Sequence, residues 1–333
     1  MPPTSPDADA SLDDAVVVGV DVGGSKVLAA AVAADGRPGR LARGVTPGRV
    51  VAPEAVEDAL VESVRRAAGD RPVAAVGVAA AGFVDAVGSR VMFAPHLPWR
   101  GEDVKSVLAD RLGVPVLLDN DANCAAHAES TFGAGRGSGS MLLVTMGTGI
   151  GGALVLDDRV WRGATGMAGE FGHMQVVPDG APCECGRRGC WEQYCSGNAL
   201  VRDARARIGS EPTVLAELCG GDPARLTGPM VTEAAEEGDL VARGAFARVG
   251  DWLGVGIANL VAAFDPELVV IGGGVSEAGD RLLDPAREAL ARTLVGAGHR
   301  DLPSVVPATL GPAAGLVGAA ALARAAYRDY GRL

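Results

Sequence analysis

The sequence predicts an α/β fold built as two similar lobes with a cleft between them. Three observations predict it. Apolar, strand-like runs alternate with stretches of helical spacing. A strand, glycine turn and second strand near the N-terminus recur, as a weak internal repeat, near mid-chain. Each of these turns also carries a hydroxyl residue, Ser25 in the first and Thr148 in the second.

The elements follow in order. Residues 1–14 are polar, contain proline and lack periodicity, and read as a disordered tail. Val16–Val20 is a buried strand, and a second apolar run, Val27–Ala33, follows the turn Asp21-Val22-Gly23-Gly24-Ser25-Lys26. Gly36 and Pro38 mark a turn before Leu41–Val45. Residues 53–68 have helical spacing, Val73–Ala79 is the next strand, and Val114–Leu118 runs into Asp119-Asn120-Asp121 and a helix over Ala122–Thr131. Met141–Thr145, the turn Met146–Gly152 and Ala153–Leu156 form the second copy of the repeat. A cysteine-rich insert at 183–190 precedes helical stretches near 191–208 and 230–264. Leu268–Ile271, the turn Gly272-Gly273-Gly274 and helices near 280–294 and 313–327 complete the chain. The expected division is a tail at 1–14, an N-terminal lobe at 15–135 and a C-terminal lobe at 136–333.

Composition narrows the function. With 333 residues the chain is long enough for a large core, in two domains. Thirty basic against 41 acidic side chains leave a net charge of −11, which argues against non-specific binding to nucleic acid or anionic membranes. No apolar run approaches the roughly 18 residues of a membrane span, and the acidic N-terminus lacks the regions of a signal peptide. The expectation is a cytoplasmic protein. Six cysteines do not make a secreted disulfide scaffold.

Glycine turns bring backbone close to a ligand, and successive N–H groups cradle phosphate oxygens. Neither common nucleotide loop is matched: GxxxxGK[ST] is absent, and Gly147–Gly152 opens a strand where a dinucleotide site needs a helix. Tight hairpin turns would use the same glycines. Asp21, at the end of a buried strand beside a glycine pair and Lys26, shifts the first turn towards phosphate and Mg²⁺ contact. Cys183-x-Cys185-x4-Cys190, with Gly186 and Gly189, has the look of a structural zinc knuckle, with Cys195 or His173 as fourth ligand; the alternative is three free thiols in a loop. Asp119-Asn120-Asp121 stands where a strand ends and a helix starts. It suits helix N-capping and equally a carboxylate on the ligand side of an α/β sheet that accepts a proton from a substrate hydroxyl. Glu170 and Glu192 flank the cysteine loop.

Taken together, Asp21–Lys26, Asp119-Asn120-Asp121-Ala122-Asn123, Gly147–Gly152, Gly169-Glu170-Phe171-Gly172-His173, Cys183–Glu192 and Ile271–Gly274 resemble the ROK family (repressors, open reading frames and kinases), and within it the bacterial glucokinases of the actinobacterial type. The resemblance runs over about 16–320, and the pairing of ExGH with CxCGxxGCxE is its most specific part. It implies an actin-like, hexokinase-type (ribonuclease H-like) fold and an enzyme that transfers phosphate from Mg-ATP to glucose. It also implies the roles. Asp121 is the base; Asn120, Glu170, His173 and Glu192 meet sugar hydroxyls. Asp21, Gly23, Gly24, Ser25 and Lys26, with Gly147, Thr148 and Gly149, hold the ATP phosphates, and Gly272 and Gly273 lie by the adenosine. His173, Cys183, Cys185 and Cys190 bind a structural zinc, leaving Cys195 free. A homodimer or homotetramer is expected. Two departures stand out: Ser25 where threonine is common, and Ala79-Ala80-Ala81-Gly82 where many members have a Gly-x-Pro-Gly-like loop. The rival readings are a kinase for mannose, fructose, N-acetylglucosamine or N-acetylmannosamine, and a sugar-sensing regulator. The family's repressors carry an N-terminal helix-turn-helix, whereas 14 residues precede the first strand here.

Overall fold

The structure is a computed structural model, and it describes residues 15–330; the tail expected at 1–14 lies outside the described residues. The first sheet comprises β1 (Val16–Val22), β2 (Lys26–Val32), β3 (Ala42–Val45) and β4 (Val73–Ala80), and, after the small ribbon β5 (Phe83–Val84) with β6 (Val91–Phe93), β7 (Val116–Asn120). Its order is β3-β2-β1-β4-β7, antiparallel through β2 and parallel from β1 to β7. The second sheet contains β8 (Ser140–Met146), β9 (Ile150–Leu156), β10 (Arg159–Val160), β11 (Leu268–Gly272) and β12 (Ser304–Pro307), in the order β10-β9-β8-β11-β12. Numbered within each sheet, both read 3-2-1-4-5. The internal repeat is thus a repeat of topology, and the fold is the expected actin-like, hexokinase-type one.

Ten α-helices are described: α1 (Pro53–Ala68), α2 (Val104–Leu112), α3 (Asp121–Phe132), α4 (Glu192–Cys195), α5 (Gly197–Arg205), α6 (Leu215–Leu218), α7 (Gly228–Glu237), α8 (Leu240–Phe264), α9 (Asp280–Thr293) and α10 (Ala314–Tyr330). Among them none is long and apolar enough to cross a membrane. The stretch expected at 230–264 is two helices, because Gly238 ends α7 in the left-handed region (φ +102°) and Asp239 Oδ1 caps α8 by accepting from Ala242 N (2.8 Å). The stretch near 191–208 breaks likewise at Ser196, whose hydroxyl caps α5. β7 runs two residues further than the apolar pattern, through Asp119 and Asn120.

The chain forms two compact units. Among the described residues, one takes in those up to Gly139, Ala153–Gly169 and those from Thr309 onward; the other is Ser140–Gly152 with Glu170–Ala308. These are not the contiguous halves 15–135 and 136–333 expected from the sequence. The C-terminal helix explains much of the difference. α10 lies directly on β1 and β4, so close that a Cβ on Gly19 or Gly77 would stand 1.9 Å from the carbonyl oxygens of Leu316 and Ala319. Only glycine at these two strand positions allows that approach. With α10 on one face and α1 and α2 on the other, β1 and β4 are covered on both sides. Their near-continuous apolar sequences reflect this.

Candidate active site

In the first unit β1, β4 and β7 run parallel and in register: Asp21 pairs with Ala79 and Ala79 with Asp119, while Ala80 lies between Val22 and Asn120. Their carboxyl ends, the usual ligand side of an α/β sheet, therefore gather Asp21, the first glycine turn and Asn120-Asp121. That turn is the β1–β2 hairpin, closed by Gly23 N donating to the Lys26 carbonyl (3.0 Å) and braced by Thr46 Oγ1 on the Gly23 carbonyl (2.7 Å). Ser25 and Lys26 are exposed at its tip, and His96 packs against Gly24. The Asp21 carboxyl lies against the first turn of α10, where a Cβ on Gly315 would come within 3.0 Å of Oδ2. Burial pushes the Asp21 pKa up to about 7; the charge of Asp121 adds to this and Lys26 opposes it.

The two readings of Asp119-Asn120-Asp121 fall on different residues. Asn120 is the N-cap of α3: its Oδ1 accepts from Ala122 N (2.9 Å) and Asn123 N (3.1 Å), and its Nδ2 donates to the Gly82 carbonyl (3.1 Å). Asp121 is the first helical residue, with Oδ1 accepting from Ala122 N (2.9 Å). Burial raises its pKa against the pull of the neighbouring backbone N–H groups and Asn120. Asp119 is 3% exposed and faces Arg162.

In the second unit the turn after β8 leaves Gly147 and Thr148 exposed. Gly149 sits against the carboxylate of Glu192, the first residue of α4. Gly272 ends β11 in register with Thr145, and Gly273 packs on the Met146 carbonyl, so the second and third turns adjoin. His173 stands between two carboxylates, with Nε2 3.8 Å from Glu170 Oε2 and Nδ1 3.7 Å from Glu192 Oε1.

The ligand atoms of His173, Cys183, Cys185 and Cys190 lie within 4.8 Å of one another. Cys185 and Cys190 sulfurs are 3.6 Å apart, and Cys183 Sγ is 3.8 Å from His173 Nδ1. A tetrahedral zinc with sulfur and nitrogen ligands has edges of about 3.5–3.8 Å, so the donor set and its spacing fit that ion. Nδ1 faces the thiols while Nε2 faces Glu170, which leaves one ring nitrogen for a metal and the other for a ligand. Cys195 is buried outside the cluster, its sulfur near the Trp191 carbonyl.

Sequence reasoning missed Arg162, His96, Thr46 and Gly315 around the first-unit site. None stands in a motif, and Arg162 is one of 28 arginines with nothing to mark it; only the fold brings them to the strand ends.

The ROK family model matches residues 17–326. A glucokinase of Streptomyces coelicolor is 43% identical over 312 residues, 93% of this chain and 98% of its own length. Among solved structures, a ROK family glucokinase from Streptomyces griseus, in complex with glucose and AMPPNP, matches with a TM-score of 0.85 at 43% identity, covering 93% of this chain and 99% of that one. A ROK hexokinase from Thermus thermophilus matches with a TM-score of 0.74 at 34% identity over 94% of this chain and 99% of its own. With the family model matching most of its residues and these likenesses running over nearly its whole length, the chain belongs to the ROK family.

Proposed function

We propose that this protein is a glucokinase that transfers the γ-phosphoryl group of Mg-ATP to the 6-hydroxyl of glucose, with Asp121 as general base. The observation that carries the reading is Asp121 itself: a carboxylate at the head of α3, its pKa raised by burial, on the same strand edge as Asp21 and the first glycine turn. The relatives with glucose and ATP-analogue chemistry support the substrate pair.

A sugar hydroxyl is a weak acid, so Asp121 accepts its proton late, as the new O–P bond forms and ADP leaves. Positioning and charge stabilisation supply most of the rate in phosphoryl transfer. Asn120, Glu170, His173 and Glu192 are the sugar-binding groups in this reading. Asn120 spends both lone pairs on the α3 cap and one N–H on Gly82, and its side chain also hydrogen-bonds the Asp121 carboxylate, so it meets the sugar beside the base it helps to orient. Hydrogen bonds of this kind discriminate epimers, because the wrong sugar leaves them unpaired. Gly23, Gly24, Ser25 and Lys26 with Gly147, Thr148 and Gly149 hold the phosphates, and Gly272 and Gly273 lie by the adenosine. Asp21 fits Mg²⁺: a buried carboxyl with a raised pKa gains from a nearby divalent cation. Mg²⁺ held at Asp21 would supply charge stabilisation for the phosphates. His173, Cys183, Cys185 and Cys190 hold zinc, which ties the loop carrying His173 and Glu192 and does no chemistry on the sugar.

A coupled ADP-release assay with Mg-ATP tests this, comparing glucose with mannose, fructose, N-acetylglucosamine and N-acetylmannosamine at equal concentration. Glucose is expected to be turned over fastest. Preference for an N-acetyl sugar would replace the substrate and keep the base; silence on all five by zinc-replete protein would overturn the kinase.

A further inference from the structure

The mechanism leaves Asp119 without a role, although it is buried and both oxygens of its carboxylate are engaged. We infer that Arg162 is a positioning residue for phosphoryl transfer: through Asp119 it fixes Asn120 and so the head of α3 on which Asp121 stands. The inference rests on the glucokinase reading.

Asp119 Oδ2 accepts two guanidinium N–H groups, from Arg162 Nε at 2.9 Å and Nη2 at 2.5 Å. Oδ1 accepts from the Asn120 backbone N (2.8 Å) and from Asn123 Nδ2 (3.0 Å). Asn120 Oδ1 then accepts from Ala122 N and Asn123 N. The hydrogen bonds thus form an unbroken chain from Arg162 to the first turn of α3. Arg162 is itself held by Nη1 on the Val160 carbonyl (3.2 Å) and by its own carbonyl accepting from Ala168 N (3.2 Å).

A carboxylate so deeply buried is held in place by the groups that pair with it. Without Arg162, Asp119 Oδ2 loses both of its guanidinium donors, the carboxylate turns away, and the two bonds on Oδ1 loosen. Asn120 then loses its fixed backbone, and Asp121 loses its line to the sugar hydroxyl. A misplacement of about 1 Å at a reacting group costs on the order of 10²-fold in rate. A merely structural ion pair would cost stability instead, and would leave the turnover of folded protein alone.

The test is steady-state kinetics on zinc-replete Arg162→Met, Arg162→Lys and Asp119→Asn, with wild type and Asp121→Asn alongside, each with its melting temperature. We expect Arg162→Met to lose about 10- to 100-fold in kcat with glucose. Its KM for ATP should stay within about twofold of wild type, because the network touches neither glycine turn proposed for the phosphates. Arg162→Lys should recover part of the loss by restoring the charge, and the double variant Arg162→Met/Asp119→Asn should be little slower than Arg162→Met alone. A folded Arg162→Met with kcat within about twofold of wild type overturns the inference. So does a loss of kcat in which the KM for ATP rises in parallel and lysine restores nothing. If Arg162→Met does not fold, Asp119→Asn decides: the same fall in kcat supports the inference, and kcat within about twofold of wild type overturns it. Wild-type protein inactive on every sugar would remove the kinase reading and this inference with it. An active wild type, an inactive Asp121→Asn and normal Arg162 and Asp119 variants would remove the inference alone.

Discussion

Replacing Asp21 by asparagine probes the electrostatics of the first-unit site without changing its shape. The carboxyl titrates near 7 in the fold against an ordinary value of 3.8, chiefly through burial and secondarily through the charge of Asp121. A raised carboxyl favours the fold while it is protonated. Its contribution is therefore intact below about pH 3.8 and is lost as pH rises through about 7. At 1.36 kcal/mol per pH unit that gap is worth at most roughly 4 kcal/mol, and solvent reaching the carboxylate lowers it to about 2–4 kcal/mol. The asparagine side chain carries no charge to desolvate. The stability of the variant relative to wild type should therefore grow from near zero at about pH 4 to about 2–4 kcal/mol at about pH 8. Urea denaturation of zinc-loaded, Mg²⁺-free protein across that range measures it, and taking the difference cancels the other titrating groups. Adding Mg²⁺ at the alkaline end should recover stability in wild type and not in the variant. Parallel stability curves for the two proteins across the window would refute the reasoning.

Asp121→Asn should abolish turnover while the protein stays folded and binds glucose; activity above about a tenth of wild type would refute the base role, which calls for a loss of at least 10²-fold. One zinc per chain is expected by metal analysis of carefully purified protein. Cys185→Ser should lose metal and glucose affinity together, whereas metal-free protein with full sugar affinity would contradict the zinc knuckle. Gly315→Ala should cost Mg-ATP affinity more than stability, since the helix gains about 0.5–1 kcal/mol from alanine while the new methyl presses on Asp21 Oδ2; unchanged KM for ATP would show that the carboxylate moves aside freely. Light scattering should give a dimer or tetramer mass, and a monomer mass across micromolar concentrations would count against it.

Much of the site is legible in the sequence because its chemistry sits in contiguous motifs. Asp21–Lys26, Asp119–Asp121, Glu170–His173 and Cys183–Glu192 each combine a required residue type with a backbone shape that local sequence dictates. The residues proposed to hold zinc are the clearest case, since Cys183, Cys185 and Cys190 converge once Gly186 and Gly189 turn the chain. Even so, the residues alone leave His173 and Cys195 as rivals for the fourth position, and the fold separates them. Cys195 is as near in sequence to Cys190 as Cys185 is, but α4 carries its sulfur away to the Trp191 carbonyl.

By itself the sequence determined the order of strands and helices along the chain, the three glycine turns, the knuckle and the residue types able to do phosphoryl chemistry, because all of these depend on neighbours a few residues apart. Tertiary structure alone decided which distant segments complete the first unit and which side chains hold the site in place. α10, at the far end of the chain, returns to lie on β1 and β4, where glycines at 19 and 77 admit it. Arg162 reaches Asp119 across 43 residues. Contacts of that separation leave no local periodicity: a buried carboxylate and the arginine that neutralises it read, residue by residue, like any two surface charges.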